Sequence, residues 1–257
     1  MEPDADLAAL RRLGGFFVLR TGEPPPAPAP LPTLADAYAD PDGIPAPTGP
    51  AGPADPPDPL SVRVRRVAAG IRAPEARVAA SVAHLGLAAR LWSAALGCAV
   101  LYGRVPGLDP CLLRWDPAGS APDDLWLTRV RTVPANADTL AATVLLGHLE
   151  PLAAALRARY RLAPGLLRGN AASALAGAAR QAERWARDEG RPETGERARE
   201  LAARLLGHPL LAGAGTLGPG GFRRRSCCLY YRVPGGGVCG DCCFRRPPRS
   251  SARAGSG

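Results

Sequence analysis

Five of the chain's seven cysteines fall in one window near its C-terminus, as an adjacent pair, Cys227-Cys228, and then Cys239-Gly240-Asp241-Cys242-Cys243. A thiol pair two residues apart closes a metal chelate, and the upstream pair completes a set of four soft sulfur ligands. Four thiolates suit zinc or an iron–sulfur cluster. The adjacent pair is awkward for one tetrahedral ion, because neighbouring side chains in extended chain point to opposite faces. A centre with two metals spreads its ligand positions and relaxes that demand. Zinc nevertheless stays open on spacing alone.

Other chemistries fit less well. Disulfides would need an oxidising compartment, and the start Met1-Glu2-Pro3-Asp4-Ala5-Asp6 lacks the basic region and apolar run of a secretory signal. A cytoplasmic protein is therefore expected, with its clustered thiols reduced. His148-Leu149-Glu150 and Cys239-Gly240-Asp241-Cys242 resemble two halves of a zinc-deaminase signature, but Val238 stands where that signature needs proline. His84, His148 and His208 read as structural. Gly235 to Gly240 fits G-x-G-x-x-G without the flanking strand and helix that a dinucleotide site requires. These glycines are better read as letting backbone amides approach sulfur.

Charge is concentrated in the same place. Every one of the 32 basic residues is arginine. From Phe222 onward stand eight arginines (Arg223, Arg224, Arg225, Arg232, Arg245, Arg246, Arg249 and Arg253) against Asp241 alone, a local +7 of the chain's +9. A basic tail of this kind suits nucleic acid. It equally suits charge balance, since four metal-bound thiolates would add four negative charges there.

The elements that must position this window are mostly helical. Leu7, Leu10 and Leu13 suggest a short amphipathic helix, followed by the apolar run Phe16–Leu19, so residues 1–20 form a small N-terminal element. Between Glu23 and Pro59 lie 14 of the 29 prolines, which makes residues 21–59 a linker expected to be disordered, with one short helix over Leu31–Tyr38 as the minor alternative. A body over 60–246 follows. Val62–Val67 suits a strand or a helix lead-in. Pro74-Glu75 opens a helix whose buried stripe runs through Val78, Val82, Leu85, Ala89, Trp92 and Leu96, with Gly97 as its stop. No uninterrupted apolar run approaches the roughly 20 residues of a membrane span. Ala99–Tyr102, Leu112–Trp115 and Leu125–Val130 read as strands, the last two as a hairpin. Helices return over 138–158, from Pro164 to about Asp188, and from Pro192 to Leu206. Gly213–Gly221 is a glycine-rich approach to the cysteines with little regular structure, and 247–257 is a disordered tail. The expected fold class is α+β, mainly α-helical, with a small β element.

The C-terminal pattern Cys-Cys-x10-Cys-x2-Cys, met by Cys227, Cys228, Cys239 and Cys242 and opening within Phe222–Arg232, resembles that of the FhuF-like ferric siderophore reductases. The resemblance extends to Arg77–Ser81, Leu85–Trp92 and Gly169–Ala174. It departs at Arg168, where relatives often carry tryptophan, and at the additional Cys243. It implies that segment 222–244 holds a [2Fe–2S] cluster on those four cysteines. It implies reduction of siderophore-bound Fe(III), with Arg223, Arg224, Arg225 and Asn170 as candidate substrate contacts, and no acid–base residue. The implied partners are a ferric siderophore and a separate electron donor, either a ferredoxin-like protein or a small reductant, with neither nucleic acid nor a membrane span. The competing expectation is a non-enzymatic zinc module, bound through four cysteines, with a nucleic-acid-binding tail.

Overall fold

The longest helix of the computed structural model, Ala76–Tyr102 (α3), is apolar on nearly every side, and a helix of that kind must lie at the centre of its fold. Residues 7–27, 29–39, 58–121, 124–218 and 220–248 are described. Around α3 pack Pro59–Ile71 (α2) and Pro164–Asp188 (α5), and α5 in turn carries Pro192–Leu206 (α6). The ends of α5 and α6 lie where proline at the first turn and glycine after the last residue place them. Val62–Val67 is helical, within α2. Trp92, Leu91, Leu96, Leu167 and Leu175 are fully or almost fully buried between these helices.

Gly97 does not stop α3. The helix continues through Ala99–Tyr102, the expected strand, and ends at Gly103, whose left-handed backbone (φ 66°) is the true C-cap. The reason for glycine at 97 is packing: a Cβ there would sit 2.8 Å from Cδ1 of Phe17 and 3.1 Å from Cδ2 of Leu10. The N-terminal segment thus lies directly on the helix backbone. It is fixed there by Arg90 of α3, which donates to the carbonyl of Phe16 and pairs with the buried Asp124 at 2.9 Å.

Part of the proline-rich region is tied to the body. Leu34–Tyr38 forms a short helix (α1), begun by a capping box between Thr33 and Asp36, with Leu34 and Ala37 buried. The Trp115 amide donates to the Pro32 carbonyl at 2.8 Å, so this segment is stitched to a strand. Residues 40–57 of the expected linker, 249–257 of the expected tail and 1–6 lie outside the described residues.

The β content is small. Arg20–Thr21 (β1) runs parallel to Leu125–Leu127 (β4), which pairs antiparallel with Leu113–Trp115 (β3) in the expected hairpin. Arg104–Pro106 (β2) pairs with Thr132–Pro134 (β5). Ala137–Tyr160 forms one helix (α4), capped by Asn136, whose side chain accepts from the Thr139 amide at 2.7 Å. Its middle, Ala141–Leu149, is wound as π-helix. Pro151 stands in the first turn of the α-helical stretch that follows, and a wider winding relieves the clash of its ring with the preceding turn. Gly215–Gly218 (β6) and Gly221–Arg224 (β7) form a hairpin where little regular structure is expected from the sequence. The fold is mainly α-helical α+β.

By length and composition, α3 and α4 could each cross a membrane; 72% and 50% of their most apolar windows are buried within the protein. Core helices have this composition too.

Candidate metal centre

The β6–β7 hairpin delivers the chain to the cysteines. Its last residue, Arg224, donates its amide to the Asp241 carbonyl at 2.9 Å, and the Arg225 amide donates to the Ala214 carbonyl at 2.9 Å. The arms before and after the loop are thereby closed on each other. Ser226 Oγ then donates to the Gly165 carbonyl at the start of α5, and Ser81 Oγ of α3 donates to the Cys228 carbonyl, both at 2.7 Å. Two core helices therefore hold the adjacent cysteines from behind.

The awkward adjacency is resolved by a turn. Leu229 adopts a left-handed conformation (φ 68°), and its amide points back at Cys227 Sγ, 3.2 Å away. The second cysteine pair repeats the device: the Cys242 amide donates to the Cys239 carbonyl at 3.0 Å, and the Phe244 amide reaches Cys242 Sγ at 3.3 Å. Amides aimed at sulfur favour the thiolate and an electron-rich centre. Between the pairs, Gly235 takes a positive φ of 73°. At Gly236 a Cβ would approach the carbonyl oxygens of Tyr230 and Val233 to 2.7 and 2.8 Å. Glycine there is a requirement of the loop's close approach to itself.

Cys228 Sγ and Cys239 Sγ lie 3.6 Å apart. Two thiolates on one tetrahedral metal with bonds of about 2.3 Å are separated by roughly 3.7 Å, so this pair has the spacing of two ligands of one metal. Among the described residues, no three His, Cys, Asp or Glu side chains are grouped as ligands of a single ion. All seven cysteines are free. The Cys228 thiol is pushed far below its ordinary value by hydrogen bonds from the Cys227 and Cys239 thiols, which are pushed up in return. Crowded sulfurs of this kind share protons that a metal would displace. Cys228 is buried, whereas Cys227, Cys239, Cys242 and Cys243 are half-buried, so the sulfur group has one edge in the protein and one near solvent.

Residues 224–244 match the family model of the FhuF 2Fe-2S C-terminal domain. No curated protein matches the chain. The matched stretch takes in all five clustered cysteines, and its cofactor is a [2Fe–2S] cluster. The donor set fits it: soft sulfurs, a pair at single-metal spacing, and backbone amides turned toward sulfur. Cys227, Cys228, Cys239 and Cys242 could hold the FhuF-type cluster, and Cys243 could do so only in place of its neighbour.

The four candidate substrate contacts separate into two kinds. Arg223 and Arg225 are exposed, and Arg223 also donates to the Cys243 carbonyl at 3.2 Å. Asn170 and Arg224 are in the interior, at 0% and 2% exposure, and bond to each other at 2.6 Å. Asn170 is a hydrogen-bonding residue of the interior, whose Nδ2 donates to the Ser81 carbonyl at 2.9 Å. Burial removes both from any surface a substrate could touch. Arg77–Ser81 and Gly169–Ala174, which accompany the cysteine pattern in sequence, meet here behind the FhuF-type loop.

Several residues of the site carried no signal of their own. Asp241 is buried, accepts from Ser173 Oγ at 2.6 Å and pairs with Arg180 at 3.0 Å, so it anchors the second cysteine pair to α5. His148 of the deaminase-like trace is buried in α4, bonded to the Leu108 carbonyl and the Tyr38 hydroxyl. Gly235–Gly240 contains Cys239, and no helix follows it among the described residues.

Proposed function

We propose that the protein is a ferric siderophore reductase, with Cys227, Cys228, Cys239 and Cys242 as cluster ligands, releasing Fe(II) in the cytoplasm. The observation that carries this reading is the FhuF-type match over 224–244 on a sulfur group that is half-exposed along one edge. When bound, the cluster supplies electrons one at a time. A hard-oxygen chelator that holds Fe(III) tightly holds Fe(II) far less well, so adding one electron to Fe(III) is sufficient for release. No side chain needs to move a proton.

The protein's part is approach and orientation. A cavity of about 440 Å³ lies against Cys239, Gly240 and Asp241, walled by Phe16 and Phe17 of the N-terminal segment and by Ala174 and Gly177 of α5. It admits an apolar arm of a chelate to the half-exposed edge. A second cavity, of about 340 Å³, is lined by Arg223, Gly240 and Cys242. There a cation can meet an anionic chelate. Arg223 and Arg225 serve as attraction; Asn170 and Arg224 act from within. Electrons reach the centre from a separate donor, a ferredoxin-like protein or a small reductant.

The test has two stages. Anaerobically purified protein should contain two irons and two acid-labile sulfides per chain. One zinc and no sulfide would leave the nucleic-acid-binding module in its place. Dithionite-reduced protein is then mixed with ferric siderophore in the presence of a ferrous-iron chelator. Cluster reoxidation should match Fe(II) capture one for one, and the gallium(III) siderophore, equal in shape and charge but not reducible, should leave the cluster reduced. Equal reoxidation by both metals would refute the substrate assignment.

A further inference from the structure

Arg224 is a cation in the wrong place for a surface contact and in the right place for something else. It is 2% exposed. Its Nη2 donates to Asn170 Oδ1 at 2.6 Å and to the Leu166 carbonyl at 3.2 Å. Its Nε and Nη1 are buried and find no hydrogen-bond partner among the described residues. No carboxylate pairs with it among the described residues, and the adjacent Asp241 is already engaged by Ser173 and Arg180. A buried guanidinium left so is costly unless a negative charge compensates it.

The surroundings are built to admit this side chain. At Gly169 a Cβ would lie 2.9 Å from Arg224 Nη2 and 3.3 Å from Nε, so glycine opens the passage through which the guanidinium enters. Among the described residues, the anionic groups left to it are the sulfurs. Arg224 is tied to both cysteine pairs: its amide donates to the carbonyl of Asp241, between Cys239 and Cys242, and its partner Asn170 bonds Ser81, whose Oγ donates to the Cys228 carbonyl. Its charge disfavours one on His84, which burial already holds neutral.

We propose that Arg224 is the internal counter-ion of the cluster and raises its reduction potential, held for that purpose by Asn170 and Gly169. Four thiolates give an oxidised [2Fe–2S] centre two negative charges, and one electron makes it three. A fixed cation in a water-poor interior stabilises the more negative state more strongly. Arg224 is thus a positioning and tuning residue, not a catalytic one. The proposal rests on the cluster and not on the siderophore as its substrate.

The test is an anaerobic redox titration of the full-length, cluster-loaded protein, followed by visible absorption and by the electron paramagnetic resonance of the reduced state. Arg224→Gln should shift the reduction equilibrium at least about tenfold against the reduced form, about 59 mV for one electron. Arg224→Lys, which keeps the charge, should recover most of that shift. Arg225→Gln, at the surface and screened by solvent and salt, should move the equilibrium less than about threefold. Arg224→Gln at the wild-type potential would overturn the proposal. If that variant fails to retain a cluster, Asn170→Asp decides: a carboxylate against Nη2 cancels the cation, so a lowered potential supports the proposal and an unchanged one overturns it. A protein that titrates as expected yet ignores ferric siderophore would sink the reductase reading alone.

Discussion

In the helical body, the inward-facing side chains on α3, α4 and α5 are chiefly Leu, Ala, Val and Trp, whereas between Cys227 and Phe244 only Cys228, Val233 and Asp241 are buried. The cysteine loop even leaves Tyr230, Val238 and Phe244 substantially exposed. The body is held by burial of apolar surface. The loop has no core of its own, and its shape comes from turns made by glycines and amides, from hydrogen bonds to Ser81, Gly165 and Ser173, and from whatever its sulfurs bind. Metal binding and loop folding should therefore be one event, while the body should fold without it.

The largest effect should come from breaking that coupling. Cys228→Ser removes the most buried sulfur and should abolish the cluster's visible absorption, with iron and sulfide lost together and far-UV circular dichroism unchanged. Tryptic cleavage after Arg232 and Arg245 should accelerate by about an order of magnitude or more, because the loop then opens locally. Cys243→Ser should keep iron, sulfide and protease resistance. Loss of the cluster in Cys243→Ser with retention in Cys242→Ser would reassign the fourth ligand. Collapse of the helical signal in Cys228→Ser would mean that the body does depend on the loop.

The converse experiment attacks the body at its most buried charge. Arg90 pairs with Asp124 at 2.9 Å with both side chains almost fully buried. Arg90→Met would leave Asp124, among the described residues, with only the longer Arg63 contact at 3.4 Å, and should cost about 3–5 kcal/mol in chemical denaturation. The cluster's potential in the folded fraction should not move.

The two regions were also unequally legible. Proline and glycine mark the ends of α5 and α6 because such boundaries are set by backbone chemistry within a few residues. Cysteine spacing exposes a ligand set for a similar reason, since a chelate is local. Gly97 misleads because its neighbour is Phe17, far away in sequence; without that contact a glycine after Leu96 is an ordinary helix stop. The set Ser81, Asn170 and Arg224 was out of reach in the same way. It closes between α3, α5 and β7, and nothing in the spacing of these residues says that Asn170 faces inward. The stripe expected on α3 is only half right: Val78, Trp92 and Leu96 are buried, but Val82, Leu85 and Ala89 are half-buried, because Ala79, Ala80, Ala83, Ala88 and Ala95 pack inward without standing out as a hydrophobic period.

Acid should separate the regions more gently. Burial lowers the pKa of His84 to about 3 and of His148 to about 4, the former helped by the charge of Arg224. Both histidines belong to the helices, in α3 and α4. The unfolded chain takes up these protons near the ordinary value of about 6.5, where the folded protein does not. Their contribution is therefore complete above about pH 6.5 and lost as pH falls toward the folded values. By pH 5 the loss should be about 2 kcal/mol for each. Denaturation midpoints between pH 7 and 5 should show this slope, and His148→Gln should remove about half of it. An unchanged slope in that variant would show that His148 is accessible to protons in the folded state.

The smallest expected change in stability lies at the seam between body and loop. A Cβ on Gly169 would fall 2.3 Å from Ser226 Oγ and 2.9 Å from Arg224 Nη2, so Gly169→Ala must displace the loop's anchor or its buried cation. Overpacking costs about 1–3 kcal/mol, and the better helix propensity of alanine returns up to about 1. Global stability should therefore fall by only about 1 kcal/mol. The loop should register far more than the body, with protease cleavage after Arg232 rising while the helical melting curve barely shifts. Adding Ser226→Ala removes the nearest clash but also the bond to Gly165, so it should restore the stability and not the protection. If the double variant regains both, the Ser226 bond is dispensable and the contacts of Ser81, Ser173 and Arg224 suffice to seat the loop on the body.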